Sequence, residues 1–509
     1  YDHTGSRGNT SFVGYGVTRL GGAFRQGLVR YVNGIITGFG EVCCPDGFCP
    51  VSGVPAARNG SLAGGSHGEG IVVVFVGCLG IGKTLSTLFP AIRVMGEERA
   101  EKIFYLTAKT ITRSVAKEAV GILTDSGLSA SSMEITAKEK LCFLDEMDCN
   151  PESCPYAKGH LDRVNAAVYE LITTKEKISR EDILEVAKRH EVCPFEMSLD
   201  MTLFSDLIIC DYNYVFDPNV YLRRYFAEGM GGDFLFLIDE AHNLVDRGMD
   251  MYSADLAKED FLELKRYVKP FDVRLEKALD SVNRAMLEHK RECKACRVIS
   301  DITGIITALT RLMSQFERFL EKDSRDYHQG VMSLEAHYPK VPDKGDESGG
   351  DKEPVLELYF KVRHFLNMYD NMGKDDYVIY ERFDDDKRFI LKLLCVNPSG
   401  NIRKCIDKGT AAVFFSATLL PIQYYKELLG GEPEDYEVYA KSVFNKEKRA
   451  LFIADDVTSK YTRRTDDEYV RIAAYIDEIA KNRHGNYMVF FPSYSFMRKV
   501  YDLYVQEYS

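Results

Sequence analysis

One short glycine-rich segment constrains this chain more than any other feature. Residues 77–84 read Gly-Cys-Leu-Gly-Ile-Gly-Lys-Thr and match the phosphate-binding pattern G-x4-G-K-[ST]. The apolar run Ile71–Val76 precedes the segment, and a helix-compatible run follows it. Glycines at Gly77, Gly80 and Gly82 would let backbone N–H groups curl around phosphates at the start of a helix. The pattern therefore predicts a strand, a phosphate loop and a helix in succession.

The last two residues of this loop carry side chains that suit a nucleoside triphosphate. The Lys83 ammonium group would reach the β and γ phosphates of ATP, and the Thr84 hydroxyl would bind Mg²⁺. An ordinary glycine-rich turn between a strand and a helix is the alternative interpretation. The strand–loop–helix order favours a nucleotide site that uses ATP and Mg²⁺ as cofactors.

A second apolar strand ends in acidic residues. Phe234–Ile238 is followed by the letters D-E-A-H, which contribute Asp239, Glu240 and His242. An acidic pair after a strand is by itself usually the start of a solvated loop. In parallel sheets, however, the carboxyl ends of the strands face the phosphate loop. We expect Asp239 to bind Mg²⁺ and Glu240 to polarise the attacking water, so that the catalytic set is Lys83, Asp239, Glu240 and His242.

Short β-rich apolar runs alternate with helical stretches from residue 71 onward, which predicts an α/β fold with a buried parallel sheet. Those runs are Ile71–Val76, Ile103–Leu106, Leu207–Cys210, Phe234–Ile238, Val413–Phe415 and Met488–Phe491. Two blocks interrupt the alternation. Residues 120–205 are predicted to be helical and contain cysteines, and residues 245–400 are predicted to be mostly helical.

Four cysteines in the first block have a spacing that suits a metal or a cluster. Cys142, Cys149, Cys154 and Cys193 are separated by 6, 4 and 38 residues. Four thiolates can hold a 4Fe-4S cluster or a tetrahedral zinc ion, and the spacing does not separate these two. Four unrelated buried cysteines are the third interpretation. Thirteen cysteines without a secretory leader indicate a reducing, cytoplasmic location rather than a set of disulfides.

The order of the motifs resembles that of a known helicase family. The D-E-A-H box resembles that of superfamily-two helicases, and Phe415–Leu419 looks like their third motif. Tyr105–Thr110 is similar to motif Ia, and Val489–Tyr494 to the start of motif IV. With one insertion before the box and one after it, the chain resembles the XPD/DinG-like iron–sulfur DNA helicases.

This resemblance implies a fold, a set of cofactors and a substrate. It implies a RecA-like P-loop sheet with an iron–sulfur insert, a helical arch-like insert and the start of a second RecA-like domain. The four cysteines would hold a 4Fe-4S cluster, because the family carries its cluster between motif Ia and the D-E-A-H box. The implied activity is ATP-dependent helicase action in DNA repair by a monomer that binds single-stranded or forked DNA and no membrane. Candidate DNA contacts are Thr107, Lys109, Lys158 and Arg163; for the last two, a solvated helix face is the alternative.

The predicted domains follow from these motifs. Residues 1–70 hold 17 of the 39 glycines and no lysine, and we interpret them as an irregular segment that is foreign or mistranslated. The remaining predicted parts are RecA-like domain 1 (71–120 with 206–245 and 400–445), the iron–sulfur insert (121–205), the arch-like insert (246–399) and a partial RecA-like domain 2 (446–509).

Several family features have no counterpart in the sequence, and two other functions therefore stay open. Motifs V and VI, with the arginine finger, are expected after motif IV, where the chain stops at Ser509. The chain would then be a truncated fragment that binds ATP and DNA without turnover. The second alternative is a zinc-binding P-loop regulator that acts on protein. The net charge of −12 excludes a uniformly basic nucleic-acid coat but not a basic groove.

Overall fold

A computed structural model of the 509-residue chain provides the structure. It describes residues 71–76, 83–108, 110–145, 147, 149, 151, 153–175, 178–321, 353–373, 375–440, 447, 450–483 and 485–508. The predictions for residues 1–70, for the phosphate-loop glycines and for Lys109 lie outside these ranges. The chain divides into two compact units, Tyr1–Ser442 and Val443–Ser509.

Strands and helices alternate along most of the described chain. The strands are β1 (Ile71–Val76), β2 (Lys102–Thr107), β3 (Ser132–Glu134), β4 (Leu207–Asp211), β5 (Phe234–Asp239), β6 (Ala254–Ala257), β7 (Cys296–Ile299), β8 (Tyr377–Phe383), β9 (Phe389–Cys395), β10 (Ala411–Ser416) and β11 (Tyr436–Tyr439). The α-helices are α1 (Lys83–Gly96), α2 (Thr110–Asp125), α3 (Lys138–Leu141), α4 (His160–Thr174), α5 (Arg180–Arg189), α6 (Pro194–Met201), α7 (Asn213–Phe216), α8 (Arg223–Phe226), α9 (His242–Met251), α10 (Lys258–Val268), α11 (Val273–Glu292), α12 (Thr303–Glu321), α13 (Glu353–Asn371), α14 (Ser399–Ile406), α15 (Ile422–Leu428), α16 (Asp466–Asn482) and α17 (Tyr494–Tyr508).

The first unit is built on a parallel sheet of seven strands in the order β11-β1-β10-β5-β2-β4-β3. Successive side chains of a strand point to opposite faces, so each strand contributes to two cores. Phe104 and Phe236 are buried on one face, and Tyr105, Leu237 and Phe415 are buried on the other. Coverage of both faces is why these strands are almost continuously apolar. The predicted α/β fold with a parallel sheet is confirmed, with five of its six predicted strands.

The prediction of a sixth strand at Met488–Phe491 is wrong. These residues of the second unit have no regular secondary structure, and the side chains of Met488 and Phe490 are 79% and 85% exposed. An apolar run becomes a strand only when another strand pairs with it. None of the described residues of that unit forms one; its core consists of residues from α16 and α17, including Tyr469, Ala473 and Phe496.

The long block after the D-E-A-H box contains more than the helices that were predicted. Helices α10 to α13 are present, and so is a four-stranded antiparallel sheet in the order β6-β9-β8-β7. The sequence does not predict this sheet, because β8 contains a charged residue whose side chain points into the core. Glu381 is fully buried there and is paired with Arg297 at 3.0 Å and with His289. The apolar core of this block is continuous with one face of the parallel sheet.

The cysteine-bearing block forms its own small core beside β3, an edge strand of the parallel sheet. Helices α4, α5 and α6 pack through apolar side chains that include Val164, Leu171, Ile183 and Met197. Among the described helices of the whole chain, none combines the length and the apolar character that a bilayer span requires.

Candidate nucleotide site and cysteine segment

The carboxyl ends of three neighbouring strands bring the predicted catalytic residues together. In the sheet, Val76 of β1 pairs with Ser416 of β10, and Phe415 pairs with Asp239 of β5. Helix α1 begins at Lys83, so its first residue lies at the same edge of the sheet as these strand ends. The sequence separation between the residues is large, but the parallel register makes them neighbours.

Lys83 and Glu240 form an ion pair across this edge. The Lys83 Nζ donates to Glu240 Oε1 at 3.1 Å, and the two side chains are 10% and 26% exposed. The backbone of Glu240 has a φ of +50°, a left-handed conformation that costs a non-glycine residue roughly 1–2 kcal/mol. Asn243 stabilises it by donating its backbone and side-chain N–H groups to the Glu240 carbonyl, at 2.9 and 3.0 Å. Such stored strain is typical of functional sites.

The Ser416 hydroxyl connects the other side of Glu240 to His242. Ser416 Oγ donates to Glu240 Oε2 at 3.0 Å, and His242 Nδ1 lies 2.8 Å from the same Oγ. Because the single hydroxyl proton is given to the carboxylate, His242 must donate from a protonated Nδ1. The carboxylate of Glu240 is therefore held at one oxygen by Lys83 and at the other by Ser416.

Asp239 is the most buried of the predicted acidic residues. It is 5% exposed, and its Oδ2 accepts a hydrogen bond from the Tyr105 hydroxyl at 3.0 Å, while Oδ1 accepts the Glu240 N–H at 2.8 Å. The Tyr212 hydroxyl donates to the Asp239 carbonyl. Burial raises the pKa of Asp239 above its ordinary value, because the charged form is desolvated. A bound cation would relieve that penalty, so the site suits the Mg²⁺ that the sequence predicts.

The remaining predicted nucleotide and DNA residues have different environments. Thr84 is the second residue of α1, beside Lys83. Thr107 is fully buried at the end of β2 and presents no surface for DNA in this structure. Lys158 is exposed in the turn before α4. Arg163 lies on that helix, where its contacts are structural.

Arg163 and His160 connect two parts of the cysteine segment. Arg163 donates to the backbone carbonyls of Lys158 and Glu191, at 2.7 and 2.6 Å. His160 Nδ1 accepts the N–H of Cys193 at 3.2 Å. These bonds hold the turn that follows Cys154 beside the loop that contains Cys193. They also use guanidinium donors that the sequence interpretation assigned to a DNA phosphate.

Lys138 and an aromatic pair bring the other cysteines into the same region. The Lys138 ammonium group lies over the ring of Phe195, two residues after Cys193, at 5.6 Å from the ring centroid. Burial lowers the pKa of Lys138, but Cys149 and Glu196 raise it overall. Phe143, which follows Cys142, packs against Tyr156 with 4.8 Å between the ring centroids. All four cysteine-bearing stretches are therefore close in space.

The thiols themselves are not gathered into a preformed metal site. Within the described ranges, no group of three or more His, Cys, Asp or Glu side chains is arranged to hold a metal ion. Burial raises the pKa of Cys193 to about 11, which favours a neutral thiol until a cation compensates the charge. Outside this segment, Cys293 is buried against the Glu381 carbonyl and Cys296 is exposed, and we interpret both as incidental.

Sequence reasoning missed the residues that support the acidic strand end. Arg247 of α9 pairs with Asp211 at 3.1 Å and lies over the Tyr212 ring, 5.5 Å from its centroid. In the sequence, Tyr105 belongs to the segment similar to motif Ia, and a tyrosine inside a buried apolar strand is itself a signal. A buried phenol needs a hydrogen-bond partner, and such partners are often at functional sites.

Comparisons with known proteins point to one group of enzymes. The DEAD_2 family model matches residues 127–261, a range that contains the four cysteines and the D-E-A-H box. The chain is 22% identical over 442 residues to the ATP-dependent DNA helicase CHL1 of Meyerozyma guilliermondii, covering 79% of this chain and 50% of that protein. It is 20% identical over 441 residues to the Saccharomyces cerevisiae XPD/RAD3 helicase subunit of general transcription and DNA repair factor IIH, covering 76% and 55%.

The chain spans about half the length of the curated relatives it matches. Among solved structures, it is similar to one titled XPD_Helicase, with a TM-score of 0.42 and 17% identity, covering 85% of this chain and 71% of the other. Another is titled Truncated XPD, with a TM-score of 0.42 and 14% identity, covering 73% and 96%. The family match and the two helicase relatives confirm the resemblance, predicted from the sequence, to the XPD/DinG-like superfamily-two helicases.

Proposed function

We propose that this chain is the ATP-hydrolysing part of a DNA helicase. The observation that carries the proposal is the continuous chain of contacts from Lys83 through Glu240 and Ser416 to His242. It joins a cation that can bind phosphate to a carboxylate that can act on water. The relatives, named as ATP-dependent DNA helicases or a helicase subunit, support the choice of DNA as the substrate.

Each group has a distinct role in this proposal. Lys83 exchanges its bond with Glu240 for the phosphates of ATP, and Thr84 and Asp239 bind Mg²⁺. Glu240, freed from the lysine, accepts a hydrogen bond from the attacking water and polarises it. Ser416 and His242 keep the carboxylate in orientation and connect it to β10, the strand that carries the third motif. The phosphate-loop glycines Gly77, Gly80 and Gly82 supply backbone N–H donors.

The finer part of the proposal concerns the cysteine segment. We assign Cys142, Cys149, Cys154 and Cys193 to a 4Fe-4S cluster, which supplies structural cross-linking of the segment when it is bound. The closeness of the four stretches supports this assignment, and ligation must draw the thiols together because they are not preorganised. The proposal also includes the domain boundaries predicted from the sequence and DNA contacts at Lys109 and Lys158. It further includes monomeric action on single-stranded or forked DNA, a role in DNA repair and a cytoplasmic location.

The experiment is an assay of ATP hydrolysis by the purified chain, with and without single-stranded DNA. The proposal expects DNA-stimulated turnover, and Glu240→Gln should reduce it by roughly 10²- to 10⁴-fold, the usual contribution of a general base. Glu288→Gln, on the insert helix α11, is the matched control and should retain turnover. Nucleotide binding without hydrolysis would favour the truncated, non-catalytic alternative. A colourless protein that holds zinc and does not bind DNA would favour the regulator.

A further inference from the structure

The hydroxyl group of Tyr105 has a role that packing in the sheet core does not explain. Tyr105 lies inside β2, where every residue is buried, and its own side chain is fully inaccessible. Its ring packs against Phe415 with 6.0 Å between centroids, and a phenylalanine would make the same contact. Packing therefore accounts for the ring but not for the hydroxyl. A buried hydroxyl without a partner would be destabilising, so its partner identifies its purpose.

That partner is the carboxylate of Asp239 in the D-E-A-H box. The Tyr105 hydroxyl donates a hydrogen bond to Asp239 Oδ2 at 3.0 Å. The carboxylate accepts this bond, so the phenol proton is used on Asp239.

The geometry fixes the carboxylate without consuming it. One oxygen of Asp239 is held by Tyr105 and the other by the Glu240 N–H. Each carboxylate oxygen has a second lone-pair direction, which stays free for a cation. A group that orients a metal ligand in this way typically contributes a factor of roughly 10 to 100 to metal affinity.

We propose that Tyr105 is a positioning residue that holds Asp239 in the orientation that binds the Mg²⁺ of the nucleotide. This inference rests on the proposed function, since it assumes that the acidic strand end binds Mg²⁺ with ATP. It also gives β2 a direct connection to the nucleotide, because the segment similar to motif Ia begins at Tyr105. Binding of the nucleotide with its metal would then affect the conformation of β2, which ends at Thr107.

The test is the Mg²⁺ dependence of the affinity of the full chain for a fluorescent ATP analogue. For Tyr105→Phe we expect the half-saturating Mg²⁺ concentration to rise by ~10-fold or more, with little change in affinity for the metal-free nucleotide. Tyr252→Phe is the matched control: Tyr252 is also buried, and its hydroxyl donates to the Phe216 carbonyl at 2.8 Å. It should leave the Mg²⁺ dependence unchanged.

Three results would overturn the inference. They are an unchanged Mg²⁺ dependence in Tyr105→Phe, an equal shift in both variants, and wild-type nucleotide binding that does not respond to Mg²⁺. A wild-type chain that binds no nucleotide would instead refute the proposed function. Should Tyr105→Phe fail to fold, as seen by circular dichroism, 4-fluorophenylalanine at position 105 fills more of the hydroxyl volume and has no proton to donate. The same shift is expected for it.

Discussion

The nucleotide site and the cysteine segment differ in how their functional side chains are positioned. At the nucleotide site, Lys83, Asp239, Glu240 and Ser416 are attached to a helix start and to strand ends of one sheet, and they contact one another without a ligand. In the cysteine segment, the thiols lie on loops and at the ends of short helices. Their stretches are neighbours, but the sulfur atoms are not arranged to hold a metal.

The difference follows from how much apolar burial supports each region. The sheet is packed on both faces by two large cores, so its strand ends have little freedom. The cysteine segment relies on a small satellite core and on polar bonds such as that between His160 and Cys193. A region of this kind gains much of its folding free energy from the group it binds. Preorganisation is thus a property of the sheet, and ligand-induced order a property of the insert.

The largest effect is expected when the cysteine ligands are changed. Protein purified anaerobically should contain iron and sulfide, and Cys193→Ser should lose both, because one missing thiolate opens the cluster. Amides of residues 138–201 should then exchange with solvent faster, whereas those of β2 and β5 should not. Iron analysis and hydrogen exchange measure the two outcomes.

Cys296→Ser is the control for that change, since Cys296 is an exposed thiol on β7. It should retain the iron and the slow exchange. Loss of iron in this control, or full iron content in Cys193→Ser, would show that the ligand set is wrong.

The next prediction concerns a cavity in the core of the parallel sheet, to be compared with a cavity in the small core of the cysteine segment. Phe104 is fully buried and contacts Phe226, Phe234 and Phe236 within 6 Å between ring centroids. Phe104→Ala should lower the free energy of unfolding by about 3–5 kcal/mol, because it leaves a cavity in the sheet core. Denaturant unfolding followed by circular dichroism measures the change.

Leu171→Ala makes the same kind of cavity in the satellite core. Leu171 is fully buried within α4. Here we expect faster hydrogen exchange confined to the insert, with nucleotide affinity preserved. If Leu171→Ala weakened nucleotide binding, the two regions would not be independent.

The smallest effect concerns the start of α5. Ser179 and Asp182 form a capping box, in which the Ser179 side chain accepts the Asp182 N–H and Asp182 accepts the Ser179 N–H. Ser179→Ala should lower the stability of this helix by about 1 kcal/mol, the usual contribution of such a cap. Exchange of the α5 amides should reveal it, because local opening of this helix reports the loss directly.

Acid should weaken the same helix start. A hydrogen bond from Lys175, and others from Ser179, lower the pKa of Asp182 to about 2 from its ordinary 3.8. A carboxyl whose pKa is lowered on folding stabilises the fold above its ordinary pKa, and that stability disappears as the pH falls toward 2. Asp182→Asn should remove this part of the acid sensitivity of the α5 amides. An identical pH profile in wild type and variant would contradict the assignment.

How far the sequence predicts this molecule depends on how local the signal is. The strand before Lys83 and the strand before Asp239 are predictable, because continuous apolar runs and acidic strand ends are visible in one window. The antiparallel sheet is not, because β6 and β9 pair across more than a hundred residues and β8 buries the charged Glu381. The bond between Tyr105 and Asp239 depends on the order of strands in the sheet, which a sequence pattern does not contain.

The central claim is that Lys83 binds phosphate and Glu240 acts on water, although the two side chains are paired with each other without nucleotide. The most direct test is the equilibrium binding of a fluorescent ATP analogue, with Mg²⁺, to wild type, Lys83→Ala and Glu240→Gln. We expect Lys83→Ala to weaken binding by roughly 10- to 100-fold, the value of a lost charged hydrogen bond. Glu240→Gln should bind about as tightly as wild type. Equal affinity in all three proteins, or a larger loss in Glu240→Gln than in Lys83→Ala, would contradict this division of roles.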